Sequence, residues 1–183
     1  MDQPRPLIVV TGLPRSGTSM MMQMLAAGGI EPYTDHKRPP DAHNPRGYFE
    51  HENVKRLARD ASWIAEARGK AVKIVAPLLP FLPSGEEYRV IFMRRDLDAV
   101  LTSQQAMLAA LGAAGDPVSG AALIETFAAQ IDRLENWLPK LPRAQTIAVD
   151  YAAARTDPAG TAAKLTAFLG PPFDAHAAAA AVF

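Results

Sequence analysis

The stretch Leu7-Ile8-Val9-Val10-Thr11-Gly12-Leu13-Pro14-Arg15-Ser16-Gly17-Thr18-Ser19-Met20 decides the fold. Leu7 to Val10 is a short, unbroken apolar run and predicts a strand buried on both faces. Gly12, Pro14 and Gly17 predict a tight loop, and Met20, Met21, Met22, Met24 and Leu25 open a helix. Strand, glycine loop and helix together form an anion cradle, because loop N–H groups and the positive end of the helix dipole converge on one point. Gly12 and Gly17 allow positive φ and close approach of backbone to a ligand. Arg15 adds a forked cation, and Ser16, Thr18 and Ser19 add hydroxyl donors.

A nucleoside-triphosphatase loop reads G-x-x-x-x-G-K-[ST]. Gly12 and Gly17 keep that separation, but Thr18 stands where the lysine belongs and the cation sits earlier, at Arg15. Without the lysine the loop is poorly suited to β- and γ-phosphates with magnesium. It suits a single 5′-phosphate carrying a small leaving group. The plain alternative is a strand–turn–helix with a glycine turn, and Pro-Arg-Ser-Gly-Thr-Ser inside the loop favours the anion site over it.

The bulk composition narrows the rest. With 183 residues, 49% hydrophobic and 21% charged, the chain is expected to fold as one domain over residues 1–183. Zero net charge gives no electrostatic support for nucleic-acid or membrane-surface binding. The absence of cysteine excludes a disulfide frame and thiolate metal sites. No signal peptide and no run of membrane-spanning length is visible, so a cytoplasmic protein is expected.

Beyond the first helix, Gly28-Gly29 marks a stop. Residues 31–49 carry four prolines and no apolar period and predict an ordered substrate loop. A helix is expected over Glu50–Arg68, strands at Ala71–Val75, Tyr88–Met93 and Gln145–Val149, and a proline-broken turn at Pro77–Pro83. Further helices are expected over Leu97–Leu111, Ala121–Leu138 and Pro158–Leu169, with a short one after Asp174 and a flexible break over Gly112–Gly120. Short apolar strands alternating with helices mean α/β, a central parallel sheet flanked by helices. Trp63, Trp137 and the methionine cluster lie on helical stripes and read as core. Arg95 follows a strand's C-terminal end, the edge where open parallel sheets bind ligands, and Ser103 stands eight residues on, two turns along the next helix. A phosphate between them would take a bidentate arginine contact and a hydroxyl hydrogen bond. Arg94 points to the other face, so only one of the pair serves.

Gly12-Leu-Pro-Arg-Ser-Gly-Thr-Ser19 resembles the 5′-phosphosulfate loop of sulfotransferases, and Arg95-Asp-Leu-Asp-Ala-Val-Leu-Thr-Ser103 resembles their second motif. Asn44-Pro-Arg-Gly-Tyr-Phe-Glu50 and the tail Val149-Asp-Tyr151, Asp157-Pro158, Phe168-Leu-Gly170, Pro172-Phe-Asp174 are similar to bacterial members. The resemblance implies a three-layer P-loop-like fold and a donor, 3′-phosphoadenosine 5′-phosphosulfate, as co-substrate with no metal. The donor's contacts would be Pro14, Arg15, Ser16, Gly17, Thr18, Ser19, Arg95 and Ser103. The acceptor would be a hydroxyl or amine on a small molecule, glycan or lipid. A P-loop kinase of a small metabolite and a nucleotide-binding relic without a working base are the competing readings.

Cytosolic members carry a histidine base in a Lys-x-His-x-Pro context, which Val75-Ala76-Pro77-Leu78 lacks here. Tyrosyl-protein sulfotransferases use a glutamate after the first helix, and ungapped counting from Arg15 puts that position on Asp35. Glu50 is the second carboxylate in reach, and burial raising its pKa would let either act. Each has a plainer role open to it: turn capping for Asp35, complementing a helix dipole for Glu50. His36, His43 and His51 are lesser candidates. Lys73 reaches toward the bridging oxygen or lies on the surface. The larger enzymes' basic glycine motif near the C-terminus is missing here. Neither the acceptor nor the oligomeric state is specified by these motifs.

Overall fold

Two-residue periodicity builds the centre of the fold. In the computed structural model, which describes residues 5–41, 44, 47–110, 112 and 120–182, the strands are β1 (Leu7–Gly12), β2 (Ala71–Lys73), β3 (Tyr88–Arg94) and β4 (Ala144–Asp150). They pair in parallel in the order β2-β1-β3-β4, with Val9 opposite Val72 on one side and Val90 on the other. Successive residues point to opposite faces, and both faces are apolar. Leu7, Val9, Val72, Val90 and Phe92 join one core. Ile8, Val10, Ile91 and Met93 join the other.

Helices cover both faces and make three layers. They are α1 (Thr18–Ala27), α2 (Glu52–Lys55), α3 (Ile64–Ala67), α4 (Leu97–Ala110), α5 (Gly120–Trp137), α6 (Tyr151–Thr156), α7 (Pro158–Leu169) and α8 (Ala175–Ala180). Met21, Met22, Met24 and Leu25 of α1 and Leu165 of α7 bury one sheet face, while Trp63, Ile64, Leu134 and Leu138 bury the other. The methionines are therefore core, as their spacing predicts. Trp63 is core too, and it ends a stack of three rings: His51 lies 4.1 Å from Tyr33, and Tyr33 lies 5.3 Å from Trp63, centroid to centroid. The stack ties residue 33, at the start of the irregular segment, to the α2–α3 layer.

Three expectations change. The helix expected over Glu50–Arg68 is two short ones, because Asp60 Oδ1 accepts from the Ser62 N–H and gives the backbone a turn instead of a helical bond. Its apolar residues Val54, Leu57 and Ile64 still reach the core. The proline-broken turn is a 3₁₀ helix over Ala76–Phe81. Helix α6 lies outside the expected elements; Asp150 caps its start by accepting from the Ala153 N–H, and Asp157 ends it and caps α7. The expected break over Gly112–Gly120 lies, apart from its two ends, outside the described residues, as does His43.

From β1 the chain crosses one way to β2 and then returns to the far side of β1 for β3 and β4. The C-terminal ends of β1 and β3 thus flank the point where the order reverses, and in open α/β sheets that crevice is where ligands bind.

Candidate functional site

At the end of β1 the chain turns through the glycine loop into α1. Gly12 has φ 152°, and a Cβ there would lie 2.5 Å from Ser16 Oγ and 2.7 Å from the Met93 carbonyl. Gly17, the N-cap of α1, has φ 95°, and a Cβ there would lie 2.4 Å from the Tyr151 ring. Arg15 between them adopts φ 68°, a left-handed conformation that costs a non-glycine residue about 1–3 kcal/mol. No side chain caps α1, so its first N–H groups stay available to an anion. Ser16 departs from the expected donor role: its hydroxyl and its N–H both donate to the Leu13 carbonyl, at 2.7 and 3.1 Å, closing the turn.

The second motif meets the first directly. Arg95 Nη1 donates to the Arg15 carbonyl at 2.8 Å, and Arg15 Nε donates to Ser103 Oγ at 3.0 Å. Arg94 turns away to pair with Glu135 on α5, so one arginine of the pair serves the crevice.

Both motifs open onto a cavity of about 550 Å³. Pro14, Arg15, Gly17, Thr18, Ser19, Arg95 and Glu50 line it; Ser16, Ser103 and Asp35 do not. Asp35 is occupied elsewhere. Its carboxylate accepts from the Glu52 N–H at 2.9 Å and the Lys37 N–H at 3.1 Å, and the Glu52 bond above all holds it below its ordinary pKa. Glu50 faces the cavity, with Oε1 3.1 Å from Arg38 Nη1 and 3.5 Å from Lys73 Nζ. Lys73 also donates to Ser19 Oγ at 3.3 Å and to the Tyr48 carbonyl at 3.0 Å. Burial, against the pull of Glu50, holds its ammonium below the ordinary lysine range. Of the histidines, His51 caps α2 and stacks on Tyr33, and His36 is exposed.

Among the lining residues that sequence reasoning missed are Arg38, Tyr48, Tyr151 and Arg155. Arg38 lies on the Tyr48 ring, 3.3 Å from its centroid. Tyr151 packs under Gly17, with the Arg95 guanidinium 4.3 Å from its ring centre. A signal existed for the last pair: α6 follows a strand's C-terminal edge, and residues four apart on a helix share a face. Among the described lining, Arg15, Arg38, Lys73, Arg95 and Arg155 stand against the single carboxylate of Glu50. A low-dielectric cleft of one sign focuses its field on an anion of several charges.

A family model described as "Sulfotransferase family" matches residues 71–175. The chain belongs to the sulfotransferase family. That match contains Arg95 and Ser103 and starts after the glycine loop; similarity to solved sulfotransferases covers the loop as well. The sulfotransferase STF1 from Mycobacterium tuberculosis aligns with 97% of this chain and 71% of its own, at 18% identity and a TM-score of 0.60. A sulfotransferase domain from the curacin biosynthetic pathway aligns over 93% and 75%, at 14% identity and a TM-score of 0.54. One from Alicyclobacillus acidocaldarius aligns over 91% and 81%, at 16% identity and a TM-score of 0.54. At these identities the likeness is one of fold. No curated protein sequence matches this sulfotransferase. None of its described helices is long and apolar enough to cross a membrane.

Proposed function

We propose that this sulfotransferase moves a sulfuryl group from 3′-phosphoadenosine 5′-phosphosulfate to a hydroxyl or amine acceptor. The observation that carries the reading is the meeting of Arg15, Ser103 and Arg95 at the mouth of one uncapped helix. The residues present fit such a donor. A Cβ would fill the cradle at Gly12 and Gly17, and the lining has a surplus of cations for a nucleotide with two anionic ends. When bound, the donor supplies the sulfuryl group, whose bond to the 5′-phosphate oxygen breaks as one to the acceptor oxygen or nitrogen forms.

The chain's own groups then have distinct tasks. The free N–H groups of α1 and the Arg15 guanidinium hold the 5′ end and stabilise charge on the leaving phosphate oxygen. Arg95 and Ser103 hold the 3′-phosphate. Glu50, the carboxylate facing the cavity, takes the acceptor proton. Lys73, anchored between Ser19 and Glu50, donates a hydrogen bond to the leaving oxygen. Asp35 has both oxygens committed to backbone and keeps a structural task.

Calorimetry with adenosine 3′,5′-bisphosphate tests the donor site. Wild type binds it without added metal, and Arg15→Ala and Arg95→Ala each lose at least about ten-fold in affinity. Normal binding by both variants refutes the assignment. Mass spectrometry of a metabolite extract incubated with donor and enzyme identifies the acceptor by an added sulfuryl group.

A further inference from the structure

We propose that Arg155 supplies a second guanidinium to the donor's 3′-phosphate, beside the Tyr151 ring that Arg95 also approaches. The inference rests on the donor reading above. A phosphate monoester carries close to two charges and three terminal oxygens. The strand-end motif brings one cation to it. Arg95 moreover spends Nη1 on the Arg15 carbonyl, and Ser103, whose Oγ accepts from Arg15 Nε, has one O–H to donate.

Helix α6 brings a second cation to the same place. Tyr151 and Arg155 are four residues apart, share a face, and both line the cavity. The Arg95 guanidinium lies 4.3 Å from the Tyr151 ring centre and that of Arg155 lies 6.0 Å from it. Two like charges thus lie near one ring. The acidic residues bordering α6 cap helix starts and form no ion pair with either arginine: Asp150 Oδ1 accepts from the Ala153 N–H at 2.8 Å, and Asp157 Oδ1 accepts from the Gly160 N–H at 2.8 Å. No ion pair to Arg95 or Arg155 occurs among the described residues. An electrostatic cluster of this kind is unbalanced until an anion enters, and a phosphate between the guanidiniums takes forked contacts from each. The competing account of Arg155 is an exposed cation in the last turn of α6, complementing the helix dipole.

Calorimetry on the full chain with two probes separates these accounts: adenosine 3′,5′-bisphosphate and adenosine 5′-monophosphate. For Arg155→Ala the expected result is a loss of about ten-fold or more for the bisphosphate with the monophosphate little changed, and Arg155→Lys restores part of the loss. Equal losses for both probes, or none, overturn the assignment, and a lowered melting temperature with intact selectivity assigns Arg155 to the helix end instead. If wild type itself fails to prefer the bisphosphate, the donor reading falls, and Arg155 with it. That outcome is distinct from a wild type that prefers the bisphosphate while Arg155→Ala matches it.

Discussion

At the scale of single residues, Glu50 and Asp35 are the same functional group in opposite circumstances. Glu50 stands in the cavity beside two cations, and Asp35 holds two backbone N–H groups. Their substitutions therefore separate chemistry from stability. Glu50→Gln is expected to lower turnover by about 10²–10⁴-fold while sparing bisphosphate affinity, as read by steady-state kinetics with the identified acceptor and by calorimetry. Asp35→Ala is expected to keep turnover and lower stability by about 1–3 kcal/mol, the cost of leaving charge-assisted bonds unmade. That loss is pH-dependent with a fixed sign. The folded pKa of Asp35 lies below its ordinary 3.8, so its contribution is present above that value and disappears as the pH falls through the folded one. Melting curves of wild type and Asp35→Ala should differ at neutral pH and converge in strong acid.

At the scale of elements, the contact of α6 with the glycine loop decides how rigid the cradle is. Gly17→Ala forces a Cβ to 2.4 Å from the Tyr151 ring, at φ 95°. The expected cost is about 1–3 kcal/mol, with bisphosphate binding lost as the ring is displaced. Gly17→Ala with Tyr151→Ala should recover part of the melting temperature, since the clash is gone, and none of the binding. Element scale is also where the sequence was most and least legible. Leu7–Val10 and Tyr88–Met93 are apolar on both faces, and only a buried parallel strand satisfies that, so the sheet and the glycine loop at its edge could be read directly. Arg95 could be read for the same reason, because it follows a strand's end. Asp60 and Asp150 were opaque. A short acidic residue caps a turn or starts a helix according to which N–H comes within reach, and that is settled by tertiary packing. The lining by Arg38 and Arg155 was hidden likewise, because a long cation on an irregular segment or a short helix declares no direction until its neighbours are placed.

At the scale of the whole molecule, a chain of zero net charge concentrates cations in one cleft. The remainder of the surface therefore carries a compensating acidic excess. Binding of the bisphosphate should stabilise the fold, by about 2.7 kcal/mol at a hundred times its dissociation constant. Added salt should shrink that gain, because the cavity mouth is open to screening ions. Thermal melts at low and high sodium chloride check this, and a salt-independent shift would mean that the charge in the cleft is not what holds the ligand.

The ring stack at Tyr33 gives the enzyme an internal optical reporter. The chain has two tryptophans, and one of them, Trp63, emits from within van der Waals range of Tyr33. Replacing Trp137 by phenylalanine would leave a lone tryptophan, selectively excitable above the tyrosine band, whose intensity and wavelength follow the docking of residue 33. Movement of the segment between α1 and α2 during a turnover cycle would then be visible by stopped-flow emission, with no dye attached.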